Sequence, residues 1–299
     1  MRLNISSVRL DVLLAAGMLA WAISGRLGAQ STVVAHYPIT PEQREILSHM
    51  RIVYLDDGTG NQLKTIRVTG VNLQLVNGSG DTESQNGLGN LIVGYEEPGN
   101  AREPDNRTGS HCVVVGRRNN YSSYGGIVAG ESNIIAGPYA SITGGRSNKS
   151  DDAWSVIGGG GFNLASGQGA AVYGGSFNAA LSDGSVVLGG AGNQAAAAGS
   201  GGAGNAAVVV GGFDNSSEGQ GSVVVGGQYN KTTANYSAIV AGTSNECFGD
   251  SSGGGSFCCI VGGDNNSTAT TTAATVGGGA NRSATGPDDW VAGGLFEDN

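Results

Sequence analysis

Ile142-Thr143-Gly144-Gly145-Arg146-Ser147-Asn148 and Val224-Val225-Gly226-Gly227-Gln228-Tyr229-Asn230 carry one pattern: a β-branched run, a glycine, and an asparagine three residues after it. With that glycine as anchor, the pattern returns at Gly94, Gly116, Gly130, Gly145, Gly160, Gly175, Gly190, Gly212, Gly227, Gly242, Gly263, Gly278 and Gly294. The base interval is 15 residues, and the longer intervals read as one unit carrying an inserted loop. The hook position three residues on holds Asn119, Asn133, Asn148, Asn163, Asn178, Asn193, Asn215, Asn230, Asn245, Asn266 and Asn281, with Glu97 and Glu297 in the outermost copies.

Helical solenoids need units of about 20–45 residues. A shorter unit with a β-branched run and a glycine-rich bend suits one coil of a parallel β-solenoid. The expected fold is therefore all-β, a parallel β-solenoid of about thirteen coils over residues 89–299. At about 4.8 Å per coil the stack would be roughly 60 Å long. Three residues before each anchor runs a column from Leu91, Val113, Ile127 and Ile142 to Thr275 and Val291. Stacking makes it a continuous apolar ridge. Glycine permits φ > 0, and asparagine tolerates it next best. Stacked asparagines can also hydrogen-bond from coil to coil.

A second apolar column stands one residue later, including Val114, Val128, Tyr173, Leu188, Val210, Val225, Val240, Val261 and Val276. Adjacent strand residues face opposite ways, so one column lines the interior and the other faces out. Strands apolar on both faces are normally covered on both, which predicts that another copy of the chain covers this strip.

Composition narrows the class. There are 55 glycines in 299 residues, only 13% of residues are charged, and β-branched clusters recur, a profile of ordered repeat rather than disorder. The net charge of −9, without a Lys/Arg cluster, argues against a nucleic-acid partner. Residues 1–29 read as a signal peptide: Arg2 and Arg9 precede the apolar run Val12–Ile23, and Ala20-Trp21-Ala22 fits a cleavage pattern. That run is shorter than the ~20 residues of a bilayer span. A secreted or cell-surface protein with no membrane span after cleavage is expected, in a compartment where Cys247 could pair with Cys258, or equally with Cys259. The alternative for these cysteines is a role as small apolar fillers.

Residues 30–88 read as an N-terminal cap of the solenoid. Thr40-Pro41-Glu42-Gln43 starts a short helix, with Ile46, Leu47 and Met50 on one face. Arg51–Leu55 and Thr65–Val68 read as strands across an Asp56–Asn61 turn, and Val71, Leu73 and Leu75 alternate as a third strand.

The glycine-bounded β-branched runs with their turn asparagines resemble the head repeats of trimeric autotransporter adhesins, the YadA-like heads, and bacterial secreted proteins built from GG-x-x-N repeats. The resemblance covers Leu91 to Glu297. It implies a left-handed parallel β-roll, a homotrimer, and adhesion at a cell surface, with host or matrix glycans or proteins as partners. Adhesin heads typically repeat every fourteen residues rather than fifteen. After the repeats the sequence shows no coiled-coil stalk or anchor barrel, so a complete autotransporter is not expected.

Catalytic patterns find little support. Gly249-Asp250-Ser251-Ser252-Gly253 matches G-x-S-x-G but lacks a strand-to-helix elbow and nearby histidines, the three being His36, His49 and His111. Asp57-Gly58-Thr59-Gly60-Asn61 hints at a calcium loop, yet Gln62 and Val68 occupy its required glycine and glutamate positions, so a turn is preferred. Asp151, Asp152, Asp183, Asp214, Glu218, Asp288 and Asp289 scatter over the coil. No catalysis, cofactor or metal is expected. The alternative is a carbohydrate-binding or polysaccharide-modifying solenoid, with Tyr121, Tyr124, Tyr139, Trp154, Tyr173 and Tyr236 as stacking platforms, although these share no single position by spacing.

Overall fold

The computed structural model describes residues 38–196, 206–249, 257–269 and 273–293. The chain divides into two compact units between Leu73 and Gln74. The signal segment 1–29, Gly294, Glu297 and most of the G-x-S-x-G stretch lie outside the described residues.

In the first unit, Thr40 caps helix α1 (Pro41–Ser48). Its hydroxyl accepts from Gln43 N–H, and the Gln43 side chain accepts from Thr40 N–H, at 3.2 and 3.0 Å. Met50 is not on this helix: it opens β1 (Met50–Asp56), which pairs antiparallel with β2 (Gln62–Val68). Asp57 closes the turn, accepting from Thr59 Oγ1 at 2.7 Å and Asn61 Nδ2 at 3.0 Å. Val71, Leu73 and Leu75 form no strand. Gly70 turns the chain at φ +78°, and no neighbouring strand offers a ladder among the described residues.

The second unit is a β-solenoid of parallel stacked coils, about eleven turns. One thirteen-stranded sheet begins with β3 (Leu91–Val93) and β4 (Val113–Arg117) and ends at Trp290–Val291. An eleven-stranded sheet runs from β5 (Asn120–Tyr121) to Ser283–Ala284. A third parallel ladder of single bridges links Glu131, Arg146, Gly161, Ser176, Ala191, Phe213, Gln228, Thr243, Asp264 and Ala280. The polar stretch after Gln74 belongs with this unit: Asn77 N–H donates to His111 Nε2 at 3.2 Å, and Asn86 N–H to Ser110 Oγ at 3.0 Å.

A coil this narrow has room for few inward side chains. Ile142, Ile157, Val172, Val187, Val209, Val224, Ile239 and Ile260 supply the bulk and are fully buried. Each contributes on the order of 1.5–3 kcal/mol. Opposite them the second strand of each coil turns in a small residue, such as Ser150, Ala165, Ala180 or Ser217. Another, such as Ser155, Ala170, Ser185 or Ser222, closes the coil before the next strand.

Register departs from the anchor spacing at both ends. In β4 and in β6 (Ile127–Glu131) the inward residues are Val114 and Val128, stacked under Ile142, while Val113 is half-buried and Ile127 exposed. These coils are 14 residues from core to core, Val114 to Val128 to Ile142, one residue shorter between core and anchor. Their strands run unbroken for five residues; the extra residue of the later coils, Gly144 and its equivalents, cuts the strands to two. Near the other end Ile260 stacks on Val276 rather than Thr275, and Gly279 rather than Gly278 continues the anchor column. Core burial sets the register, and the glycines follow.

The hook asparagines are buried and form the ladder. Asn163 shows the unit: its N–H donates to Asn148 Oδ1 at 3.0 Å, its Nδ2 donates to Gly159 O and Gly175 O at 2.9 and 3.1 Å, and its Oδ1 accepts Asn178 N–H at 3.0 Å. The ladder runs from Asn119 to Asn266 and ends on Arg282 N–H at 2.9 Å. Asn281 is not part of it. After the shift to Gly279, Arg282 stands at the hook, and Asn281 is an exposed corner residue at φ +54°, bonded to Asn265 Nδ2 at 2.6 Å. The buried hooks do not adopt φ > 0; the residue before each one does, as at Ser147, Phe162 and Tyr229.

The insertion between Gly94 and Gly116 covers the first edge of the eleven-stranded sheet. Tyr121 N–H donates to Asn106 O at 2.9 Å, and Asn120 Nδ2 to Pro104 O at 2.9 Å. Arg107 holds the loop through Glu96 O and Glu97 O at 2.6 and 2.7 Å. The buried Tyr121 hydroxyl rests on the Glu96 carboxylate; burial, then that bond, raises its pKa. An exposed edge would otherwise recruit strands.

Asn163→Ala leaves buried amide groups without partners and is expected to cost about 2–4 kcal/mol, read as lost hydrogen-exchange protection in the adjoining coils. Asn281→Ala should change stability by less than about 0.5 kcal/mol. A glycine pair makes a sharper contrast. A Cβ at Gly175, where φ is +80°, would lie 2.0 Å from Gly190 O, whereas one at Gly174 meets nothing within 4 Å. Gly175→Ala should abolish the β signal in circular dichroism and Gly174→Ala should preserve it.

Candidate interaction surfaces

The two sheets share an interior plan and differ outside. On the thirteen-stranded sheet, Tyr173, Leu188, Val210, Val225, Val240 and Val261 face solvent at 37–61% exposure. Beside them, two residues earlier in each coil, stand the half-buried Ala171, Val186, Val208, Val223, Ala238 and Cys259. Over six consecutive coils this face holds no charged side chain. The strip ends where Thr143 and Gly158 replace the column at one side and Gly277 at the other.

The eleven-stranded sheet is uncharged outside from Leu164 to Ala196 but carries ion pairs on either side of that stretch. Lys149 pairs with Glu103 at 2.6 Å and Asp151 at 3.1 Å, and Lys231 pairs with Glu218 at 3.2 Å. Burial would lower the Lys149 pKa, but its two carboxylate partners outweigh that and raise it. Because both sheets come from the same repeat, the apolar face is a property of that sheet rather than of the composition.

The corners carry aromatics. Phe162, Phe177 and Tyr229 occupy the position before the hook asparagine, at φ between +56° and +60°, with Phe213 beside it in the intervening coil. Phe162 and Phe177 stack with centroids 5.1 Å apart, and Phe213 meets Tyr229 edge-on at 5.7 Å. At the opposite corner Tyr139, Trp154 and Tyr236 share one turn position, three residues before Ile142, Ile157 and Ile239, also at positive φ. Tyr121 is buried and Tyr173 belongs to the apolar strip, so the six candidate aromatics divide over separate places. Holding a bulky residue at positive φ costs about 1–3 kcal/mol each. Phe162 and Phe177 stand one 15-residue period apart, each directly before its hook asparagine, a spacing that the sequence alone carries.

Ionisable groups serve turns and ion pairs. Asp57 sits in its Asx turn, where the hydrogen bond from Thr59, then that from Asn61, holds its carboxyl well below the usual range. Asp152 accepts from Ala153 N–H at 2.6 Å, Asp183 from Gln168 N–H at 3.0 Å, and Asp289 from Gly286 N–H at 2.6 Å. Among the described residues no three His, Cys, Asp or Glu side chains converge as metal ligands. Nor is any described helix long and apolar enough to cross a membrane. Cys112, Cys247 and Cys258 are buried, and Cys259 is half-buried. The N-x-[ST] pattern at Asn148, Asn215, Asn230 and Asn266 has a packing cause: the residue two beyond the hook is the small inward one, and the asparagine amide is buried.

No protein-family model matches this chain, and no curated protein matches it.

The facing assignment is checked by two neighbouring valines. Val224→Thr buries a hydroxyl and should cost about 1–3 kcal/mol, whereas Val225→Thr on the outer strip should stay within about 0.5 kcal/mol, both read from denaturant midpoints at protein concentrations low enough to keep the chain monomeric.

Proposed function

We propose that this chain is a secreted, structural β-solenoid that self-associates along the outer face of its thirteen-stranded sheet and serves attachment or architecture at a cell surface, without catalysis. One observation carries the reading: the strip from Ala171 to Val261 holds no charged side chain over six consecutive coils, while the second sheet carries lysine–carboxylate pairs at Lys149 and Lys231. Six coils at about 4.8 Å make a strip about 29 Å long. With two columns of side chains it reaches the few hundred Å² at which monomeric proteins rarely leave a contiguous apolar patch. The occupant must be apolar, linear and matched to the coil rise. A second copy of the same strip meets all three conditions.

The N-terminal unit supports the same reading. Ile46, Leu47, Ile52, Tyr54, Leu63 and Ile66 are all more than half exposed, and a lone two-stranded hairpin with one short helix is marginally stable. The resemblance to YadA-like heads supports a trimer as the assembly, and the 14-residue turns at Val114 and Val128 match the period typical of those heads. The same resemblance points to host or matrix glycans or proteins as the surfaces bound.

A second reading, carbohydrate binding, is favoured by the corner aromatics. Phe162, Phe177 and Tyr229 stand at strained, exposed positions where an aromatic ring adds nothing to the core, and the exposed Phe213 lies beside that position. Stacking on sugar rings would give that strain a use.

Light scattering on residues 30–299 tests the first reading: the wild type should run as a trimer. Val225→Glu/Val240→Glu should run as a monomer with unchanged β content. A monodisperse wild-type monomer at high concentration would end it. On a glycan array, saturable binding to one glycan that Phe177→Ala/Tyr229→Ala abolishes would favour the second.

A further inference from the structure

Two inward columns face each other across the coil. One is the second residue of each strand in the eleven-stranded sheet: Ser217 stacks on Thr232, and Thr232 on Cys247. The other is the residue that closes the coil, whose carbonyl accepts from the preceding coil's strand: Ser222 from Val208, Ser237 from Val223, Cys258 from Ala238. Where both positions are serine, their hydroxyls touch. Ser150 and Ser155 lie 2.6 Å apart, and Ser217 and Ser222 lie 2.7 Å apart. In one coil both positions are cysteine. Cys247 and Cys258 are buried, at 0% and 1% exposure.

We propose that Cys247 and Cys258 form a disulfide across the interior of their coil. The site is one that two other coils fill with a contacting pair of side chains, and a disulfide needs the same close approach of β-carbons. Burial, then the neighbouring Cys258, raises the Cys247 thiol above its ordinary value, which fits two sulfurs set close together away from water. Cys259 is excluded as the partner: it is the next residue along the strand, paired with Ala238 and Thr275, and it faces out onto the apolar strip. The bridge would tie together the two ends of a coil that carries six residues more than the 15-residue base unit. It thereby fixes the register of Ile239 on Ile260.

The oxidant is a small-molecule disulfide of the oxidised-glutathione class. One cysteine thiolate attacks a sulfur of it, forming a mixed disulfide and releasing one thiolate. The second cysteine thiolate displaces the other half. Two protein thiols lose two protons and two electrons, and the oxidant leaves as two thiols.

The full chain is refolded in a buffer of reduced and oxidised glutathione, denatured without reductant, and alkylated with iodoacetamide. Label is expected on Cys112 and Cys259 alone, with the Cys247 and Cys258 peptides linked. Label on all four cysteines, or a link through Cys112 or Cys259, overturns the proposal. Cys112→Ser/Cys259→Ser isolates the pair: after oxidation it should be about 2 Da lighter and take no label. If it folds, as its β signal reports, yet keeps both thiols, the proposal fails. Cys247→Ser/Cys258→Ser copies the Ser217–Ser222 arrangement and should fold with the same β signal while showing two labelled thiols in every redox buffer.

Discussion

A buried asparagine amide in each inner coil is the interaction on which the solenoid depends. A 15-residue coil must turn its backbone sharply three times, and each turn strands carbonyl and N–H groups away from water. An unpaired buried polar group costs about 1–3 kcal/mol. The hook answers this with all its capacity: Nδ2 bonds a carbonyl of its own coil and one of the next, and Oδ1 takes the next hook's N–H. Because each amide joins two coils, the stack locks in register as it closes. Serine is too short to span both carbonyls, and aspartate could not donate to them.

The remaining interior follows from the space that the hook leaves. One β-branched residue fills most of it, and two small ones let the opposite walls approach. Insertions respect that plan. The longer coils add their residues between the small residue ending the second strand and the one that closes the coil, after Ala195, Cys247 and Thr268. The flanking pairs Val187–Val209, Ile239–Ile260 and Ile260–Val276 keep their register across all three. That corner lies outside the three strand and bridge ladders, so added length is tolerated there.

What the interior demands, the exterior is free to vary, and it varies by sheet. The eleven-stranded sheet carries lysine–carboxylate pairs, and the thirteen-stranded sheet is apolar over six coils. An outward valine gains nothing from the coil's own core. Its repetition at one position is the observation on which the proposed self-association rests. At the corners, Phe162 and Phe177 stand at positive φ and stack on each other rather than in the core.

Period, class and core were legible in the sequence because a stacked coil repeats its chemistry: Ile142 over Ile157 and Asn148 over Asn163 recur as the spacing predicts. The helix cap at Thr40 and the hairpin after it were legible for local reasons, each fixed by residues within a turn of one another. Tertiary structure alone decided the register at the ends. Spacing counted from glycine placed Val113, Ile127, Thr275 and Asn281 in columns that belong to Val114, Val128, Val276 and Arg282. Glycine marks a bend but buries nothing, so when core and bend differ by one residue, burial of the apolar side chain prevails. The loop over the Asn120–Tyr121 edge was equally hidden, because residues 98–108 carry no copy of the repeat and only the closed stack brings them to that edge.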